Sequence, residues 1–295
     1  MFKRNNSVFS IICHAITLLI LVNFMPQESA ASEIFSIQKL SEKDISQMLE
    51  TNVLKKPYLC DPSRLRLLQT SYYDFDGKIH RDGKMIVLDA AAENVINIFK
   101  KLFDQKFPLQ RISLLNEFKG DDDLSMNANN SSAFNQRAIA GRDRVSIHSY
   151  GLAIDINPVQ NPYVIFNHEN ATAQYLPAAG IKFANRLEGR PNKPNRAGLA
   201  ENVEKIFYQN GFNIWGGNWD DPIDYQHFQT SRGLAELLVA MDSRDARIFF
   251  EMHVKFLNQN KEDLVIQSQR LIGEDLKATY LVNKKKFMEL VSKIK

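Results

Sequence analysis

Cysteine is nearly absent from this sequence: only Cys13 and Cys60 occur in 295 residues. Cys13 falls in an apolar leader, so removal of that leader leaves Cys60 alone. One thiol forms no intramolecular disulfide and supplies no thiolate cluster for a metal. Any metal site must then be built from histidine and carboxylate. An excess of one charge sign is also missing. Lys and Arg number 37 against 34 Asp and Glu, a net charge of +3. That balance argues against a nucleic-acid partner, which would call for a strongly basic surface. No internal repeat is visible. No lipid-attachment pattern surrounds Cys13 either, because Ile12 stands where a small residue is needed.

What is present begins with residues 1–31, which read as a signal peptide. Lys3 and Arg4 give a basic start, Val8 to Phe24 is largely apolar, Pro26 breaks the run, and Ser29-Ala30-Ala31 offers small residues for cleavage. The apolar run is short for a membrane span of ~20 residues, so no stable span is expected after cleavage. Residues 32–230 read as one catalytic domain with an N-terminal helix, and 231–295 as a helical C-terminal extension. Ser41 followed by Asp44 is a capping box for a helix reaching about Glu50. Leu65 to Tyr73 and Lys84 to Leu88 read as strands around an Asp76-Gly77 turn. Val95, Ile98, Phe99 and Leu102 have helical spacing within Ala90 to Phe103. Arg111 to Leu115 reads as a strand, and Asn202 to Gln209 as a short helix. By composition, Gly120 to Ser132 and Glu188 to Gly198 are polar loops placed to shape a cleft. After residue 229, helical periodicity returns in Leu234 to Met241, Ala246 to Leu257 and Tyr280 to Ile294. The expected fold is α+β, a small, mostly antiparallel sheet carrying a metal on one face, with flanking helices.

The chemistry concentrates in two segments. In the first, Ser146 to Pro158, strand alternation places Gly151, Ala153 and Asp155 on one face and Leu152, Ile154 and Ile156 on the other. The apolar face suits a core, while the first carries a carboxylate with only small residues before it. His148 precedes it. In the second segment, Trp215 to Phe228, a turn at Pro222 brings Asp224 beside His227. His148, Asp155 and His227 together supply three protein ligands, the number that a catalytic zinc site uses while keeping a position open for water. Asp224 is then placed as a general base. His148 with Asp155 alone is a common pairing and by itself signals little.

The run Ser-x-His-x-x-Gly-x-Ala-x-Asp over Ser146 to Asp155, followed by Asp-x-x-His over Asp224 to His227, resembles the zinc D-alanyl-D-alanine carboxypeptidase and L-alanyl-D-glutamate endopeptidase family. That family includes VanY-type carboxypeptidases and several phage endolysins. The flanking Ser132-Ala133-Phe134-Asn135 with Arg137, Asn157-Pro158 with Asn161-Pro162-Tyr163, and Pro222-Ile223 are similar to the endolysin-like branch. The resemblance implies one Zn2+ per chain on His148, Asp155 and His227, with Asp224 as catalytic base. It also implies that Arg137 faces the substrate and that Ser146 helps line the site. The implied activity is hydrolysis of peptidoglycan stem peptides by a protein exported to the periplasm or beyond. A catalytically inactive wall-binding module of the same fold is the alternative. Among the remaining candidates, His80 reads as an exposed residue near a turn, His168 as a loop histidine, and His253 as a helix residue that packs or is solvated. Cys60 reads as structural, and Trp215 and Trp219 as anchors beside the proposed base.

Overall fold

A computed structural model of the chain describes residues 32–139, 143–273 and 275–294. The signal-peptide reading of residues 1–31 lies outside them. Among the described residues, no helix is long and apolar enough to cross a membrane.

The N-terminal half is organised by one antiparallel sheet. Strand β1 (Phe35–Lys39) leads to helix α1 (Glu42–Glu50), which starts at the expected capping box of Ser41 and Asp44. Strands β2 (Leu65–Tyr73) and β3 (Ile79–Leu88) form the hairpin, and β1 pairs with the outer side of β2. Helix α2 (Ala92–Asp104) then buries Val95, Ile98, Phe99 and Leu102, the spacing that makes one face of a helix apolar. His80 departs from its expectation as an exposed turn residue. It sits within β3, stacks on Tyr72 at 4.9 Å and lies 2.7 Å from the Asp74 carboxylate.

The segment expected to be a loop from Gly120 to Ser132 is partly regular. Strand β4 (Arg111–Ile112) is followed by helix α3 (Asp122–Asn127) and strand β5 (Asn130–Ser131), and β4 and β5 pair in parallel. The physical reason is local capping. The Asp121 side chain accepts from the Leu124 amide, and the helix is too short for its periodicity to be readable against a polar composition. Arg111 to Leu115 contributes only two strand residues, because Leu115–Phe118 turns into a 3-10 helix.

The remaining strands are short. β6 (Ala153–Asp155), β7 (Tyr163–Asn167) and β8 (Thr172–Leu176) are followed by helix α4 (Glu204–Gln209), and then β9 (Ile214–Trp215), β10 (Ile223–Asp224) and β11 (His227–Gln229). They form two antiparallel sheets, β10-β7-β8 and β6-β11-β9. The mixed α+β architecture with mostly antiparallel pairing is as expected, divided among several small sheets. Among the described residues, five helices follow: α5 (Arg232–Ala240), α6 (Ser243–Asn258), α7 (Leu264–Ile272), α8 (Leu276–Val282) and α9 (Lys284–Val291). They share the core of the strands. Leu234, Phe249, Phe250, Tyr280 and Phe287 are buried in the same hydrophobic cluster as Leu88, Ile154 and Phe228. Arg232 Nη2 also donates to the Val145 carbonyl at 2.7 Å, tying α5 to the segment before His148.

Phe228 pins β11 to this core. It is fully buried, with its ring stacked on Phe207 at 3.9 Å and on Trp215 at 6.1 Å. Phe228→Ala is expected to cost about 3–5 kcal/mol of stability, read as a lower denaturant midpoint of the metal-free protein. Because its neighbours His227 and Gln229 point to the opposite face, the same substitution should loosen whatever that face holds.

Candidate metal centre

Each of the three candidate ligands is placed by backbone hydrogen bonds before its side chain is considered. His148 lies in a short 3-10 helix, Ile147–Tyr150, capped by the Ser146 hydroxyl, which accepts from the His148 amide at 3.3 Å. Gly151 ends that helix at φ 66, a left-handed conformation that glycine adopts without steric cost. It is therefore not the first residue of a strand, as alternation had placed it. Its amide donates to the His148 carbonyl at 3.0 Å, and a Cβ there would stand 2.6 Å from the Leu88 backbone nitrogen. The end of β3 thus abuts the turn that carries His148. Asp155 ends β6 and exchanges two backbone hydrogen bonds with Ser132, at 3.0 and 2.9 Å. In the antiparallel ladder of β6 and β11, His227 lies directly opposite Asp155.

The side chains converge. His148 Nε2 is 3.2 Å from His227 Nδ1 and 3.1 Å from Asp155 Oδ2, and His227 Nδ1 is 2.9 Å from Asp155 Oδ1. His148 and His227 are buried. The other nitrogen of each ring is committed elsewhere. His148 Nδ1 donates to the Ala133 carbonyl at 2.5 Å, and His227 Nε2 donates to Gln229 Oε1 at 2.8 Å. With those protons fixed, neutral rings turn one lone pair each, from His148 Nε2 and His227 Nδ1, toward a carboxylate. Such a buried cluster of acceptors calls for a cation at its centre. Zinc ligand distances in a tetrahedron put neighbouring donor atoms about 3.3 Å apart, close to the spacing found. His148, Asp155 and His227 therefore fit a metal ion. In its absence, burial raises the Asp155 carboxyl, but the facing His148 and His227 outweigh burial and hold it below the usual carboxylate range. Burial lowers the His227 imidazole, yet its hydrogen bond to Asp155 and the negative charges of Asp155 and Asp224 together outweigh burial and lift it to about 9.

Asp224 lies on β10, paired with Tyr163 of β7. Its Oδ1 is buried and has no hydrogen-bond partner within the protein. Burial pushes its carboxyl up to about 6, against the pull of the nearby His227. A carboxylate so placed is an available proton acceptor beside the three candidate ligands. Gly216 sets its position: a Cβ at that glycine would lie 2.5 Å from the Asp224 carbonyl oxygen and 2.8 Å from its Cβ. Gly216→Ala must therefore displace β10. The expected result is a fall in kcat of about a hundredfold, the scale of a misplaced catalytic group, with metal content unchanged by elemental analysis.

Ser146 is buried and acts as the cap described above. Arg137 lies two residues after Asn135, whose amide donates to the His148 carbonyl at 3.3 Å. Its carbonyl accepts from the Ser146 amide at 3.0 Å and from the Ser149 hydroxyl at 3.0 Å. Its guanidinium pairs with the Asp122 carboxylate rather than with a candidate ligand. Trp219 is half-buried, its ring 5.5 Å from that of His227, whereas Trp215 is buried against Phe228. His168 is exposed and meets Asp221 at 2.5 Å. His253 is fully buried, and its Nε2 donates to the Gly211 carbonyl at 3.2 Å. Burial drives the Cys60 thiol up to about 12, consistent with an inert structural residue. Two partners of the centre escaped sequence reading, the Ala133 carbonyl and Gln229. A backbone carbonyl leaves no trace in residue identity, but Gln229 stands two positions after His227 on a strand, where alternation puts both on one face.

Residues 140–230 match the family model described as D-alanyl-D-alanine carboxypeptidase. The matched segment contains His148, Asp155, Asp224 and His227 and supports the resemblance read from the two motifs. No curated protein and no solved structure matches the chain.

Proposed function

We propose that this chain is a zinc-dependent peptidase of the D-alanyl-D-alanine carboxypeptidase family that hydrolyses the stem peptide of peptidoglycan. The observation that carries the reading is the buried convergence of His148 Nε2, His227 Nδ1 and the Asp155 carboxylate, 2.9–3.2 Å apart, with the free carboxylate oxygen of Asp224 nearby. An inactive wall-binding module would need no carboxylate with a buried, unpaired oxygen beside its metal ligands, and leaving one there is costly.

His148, Asp155 and His227 would hold the ion. Zinc bound there supplies Lewis acidity, polarising a carbonyl and acidifying water. Asp224 takes the proton that water loses as its oxygen bonds to the scissile carbonyl carbon. The same carboxyl returns that proton to the amine as the C–N bond breaks, so one water is consumed and an acid and an amine are released. The raised affinity of Asp224 for a proton suits a group that must accept one and then give it back. Arg137 serves the substrate side in this reading, orienting a carboxylate or the developing oxyanion once it exchanges Asp122 for substrate. Ser146 supports the site through the turn it caps.

The family description favours removal of a terminal D-alanine, and the endolysin-like flanks favour a cut between L-Ala and D-Glu. A synthetic stem pentapeptide ending in D-Ala-D-Ala separates them: release of one alanine marks the first, and a product beginning at D-Glu marks the second. An intact pentapeptide after incubation with folded, zinc-loaded protein would count against both. The wall lies outside the cytoplasmic membrane, so the reading requires export. The basic start, apolar run and small residues at 29–31 support a cleaved leader and a periplasmic or extracellular location.

A further inference from the structure

We infer that Gln229 is a positioning residue of the metal centre, selecting Nδ1 of His227 as the nitrogen that faces the ion; the inference rests on the zinc reading above. The two histidines present different nitrogens to the centre, Nε2 from His148 and Nδ1 from His227. For His148 the choice is made by the Ala133 carbonyl, which can only accept. For His227 it is made by a side chain. Gln229 Oε1 accepts from Nε2 at 2.8 Å, and both residues lie on β11 two positions apart, so their side chains share one face. The backbone of Gln229 is held on both sides, opposite Ala153 of β6 and Ile214 of β9. Phe228 between them is locked in the core. The amide therefore meets the ring at a fixed reach.

A glutamine differs from a carbonyl in having two ends. Turned over, its NH2 would face Nε2, the ring proton would move to Nδ1, and the lone pair aimed at His148 and Asp155 would be lost. An apolar side chain would leave the ring free to rotate. Glutamate, by contrast, can only accept and should hold Nε2–H at least as firmly, since a charged acceptor strengthens the bond. This ordering separates an orienting role from simple packing.

The test uses the full chain as wild type, Gln229→Leu and Gln229→Glu. Zinc affinity is measured by competition with a chromogenic chelator, melting temperature is recorded without metal, and the ring N–H signals of the zinc-loaded proteins are observed by NMR. Loss of a second partner to a ligand histidine typically weakens metal binding 10–100-fold. The expected result is a loss of that size in Gln229→Leu, recovery to within a few-fold in Gln229→Glu, and a protected Nε2 proton in wild type and Gln229→Glu only. Wild-type affinity in Gln229→Leu would overturn the inference. So would equal losses in both variants that track a lowered melting temperature. A wild type that takes up no zinc would sink the metal reading along with it. A wild type that binds zinc but cuts no wall peptide would sink the peptidase reading and leave the Gln229 result to stand or fall on affinity.

Discussion

Asp224→Ala is expected to lower kcat by about 10²- to 10⁴-fold, the usual worth of a general base, while zinc content stays at wild type. The separation follows from position. Asp224 lies on β10, whereas the three candidate ligands come from β6, β11 and the 3-10 turn before β6. None of them hydrogen-bonds to Asp224, so removing its carboxyl leaves their geometry in place. Asp224→Asn gives a sharper version, because it keeps the shape and removes only the proton chemistry. It also carries a stability consequence with a definite sign. The folded carboxyl titrates near 6 against an ordinary value of 3.8, because burial disfavours the charge. A raised carboxyl costs nothing when both folded and unfolded states are protonated. It destabilises progressively as pH rises from about 4 through 6, where the unfolded chain sheds a proton that the folded chain keeps. Without metal, Asp224→Asn should therefore be more stable than wild type by about 3 kcal/mol above pH 7 and nearly equal to it near pH 3. Denaturant melts at the two pH values check this. An Asn variant that gains no stability at high pH, or that keeps near-wild-type turnover, would remove Asp224 from the role of base.

His148→Ala should abolish turnover through a different route, loss of the metal. Changes in second partners alone typically weaken metal binding 10–100-fold, so deleting a ligand should weaken it by at least about a hundredfold. The expected signature is opposite to that of Asp224→Ala: elemental analysis after dialysis finds no zinc, and added zinc restores little activity. The turn itself should survive. Its backbone is held by the Ser146 cap, by Gly151 and by the Asn135 amide, which donates to the residue-148 carbonyl at 3.3 Å. The variant should thus remain folded without metal but be less stable than wild type, because the Ala133 carbonyl loses its donor and buried Asp155 loses a facing imidazole. Retention of stoichiometric zinc by His148→Ala would show that the ion is held elsewhere.

Much of this centre was legible in residue order. His148, Asp155, Asp224 and His227 were singled out by motif and spacing, and the structure brings the three candidate ligands within contact distance of one another. The α2 face, the capping box at Ser41 and the β2–β3 hairpin were legible for similar reasons, since each is a local pattern with a local cause. The reading of Gly151 as a strand residue failed because small, alternating residues look alike in a strand and in a turn. Only the contact with Leu88 shows why glycine is needed there. The acidic stretch from Asp121 hid a short helix because its stability comes from a cap and tertiary packing rather than an apolar face. His80 was misplaced because its partners, Tyr72 and Asp74, lie on the neighbouring strand and in the hairpin turn, and only the pairing register brings them together. The pairing of Arg137 with Asp122 depends likewise on a fold-level approach of two segments that spacing does not encode.

The most direct test of the account is a mass-spectrometric digest of purified peptidoglycan by this protein in three states: zinc-loaded, stripped by chelator, and stripped then reloaded. The expected result is new stem-peptide products, either shortened by one alanine or beginning at D-Glu, in the loaded and reloaded samples only. Equal product in the stripped sample, or none from folded protein carrying one zinc, would contradict it.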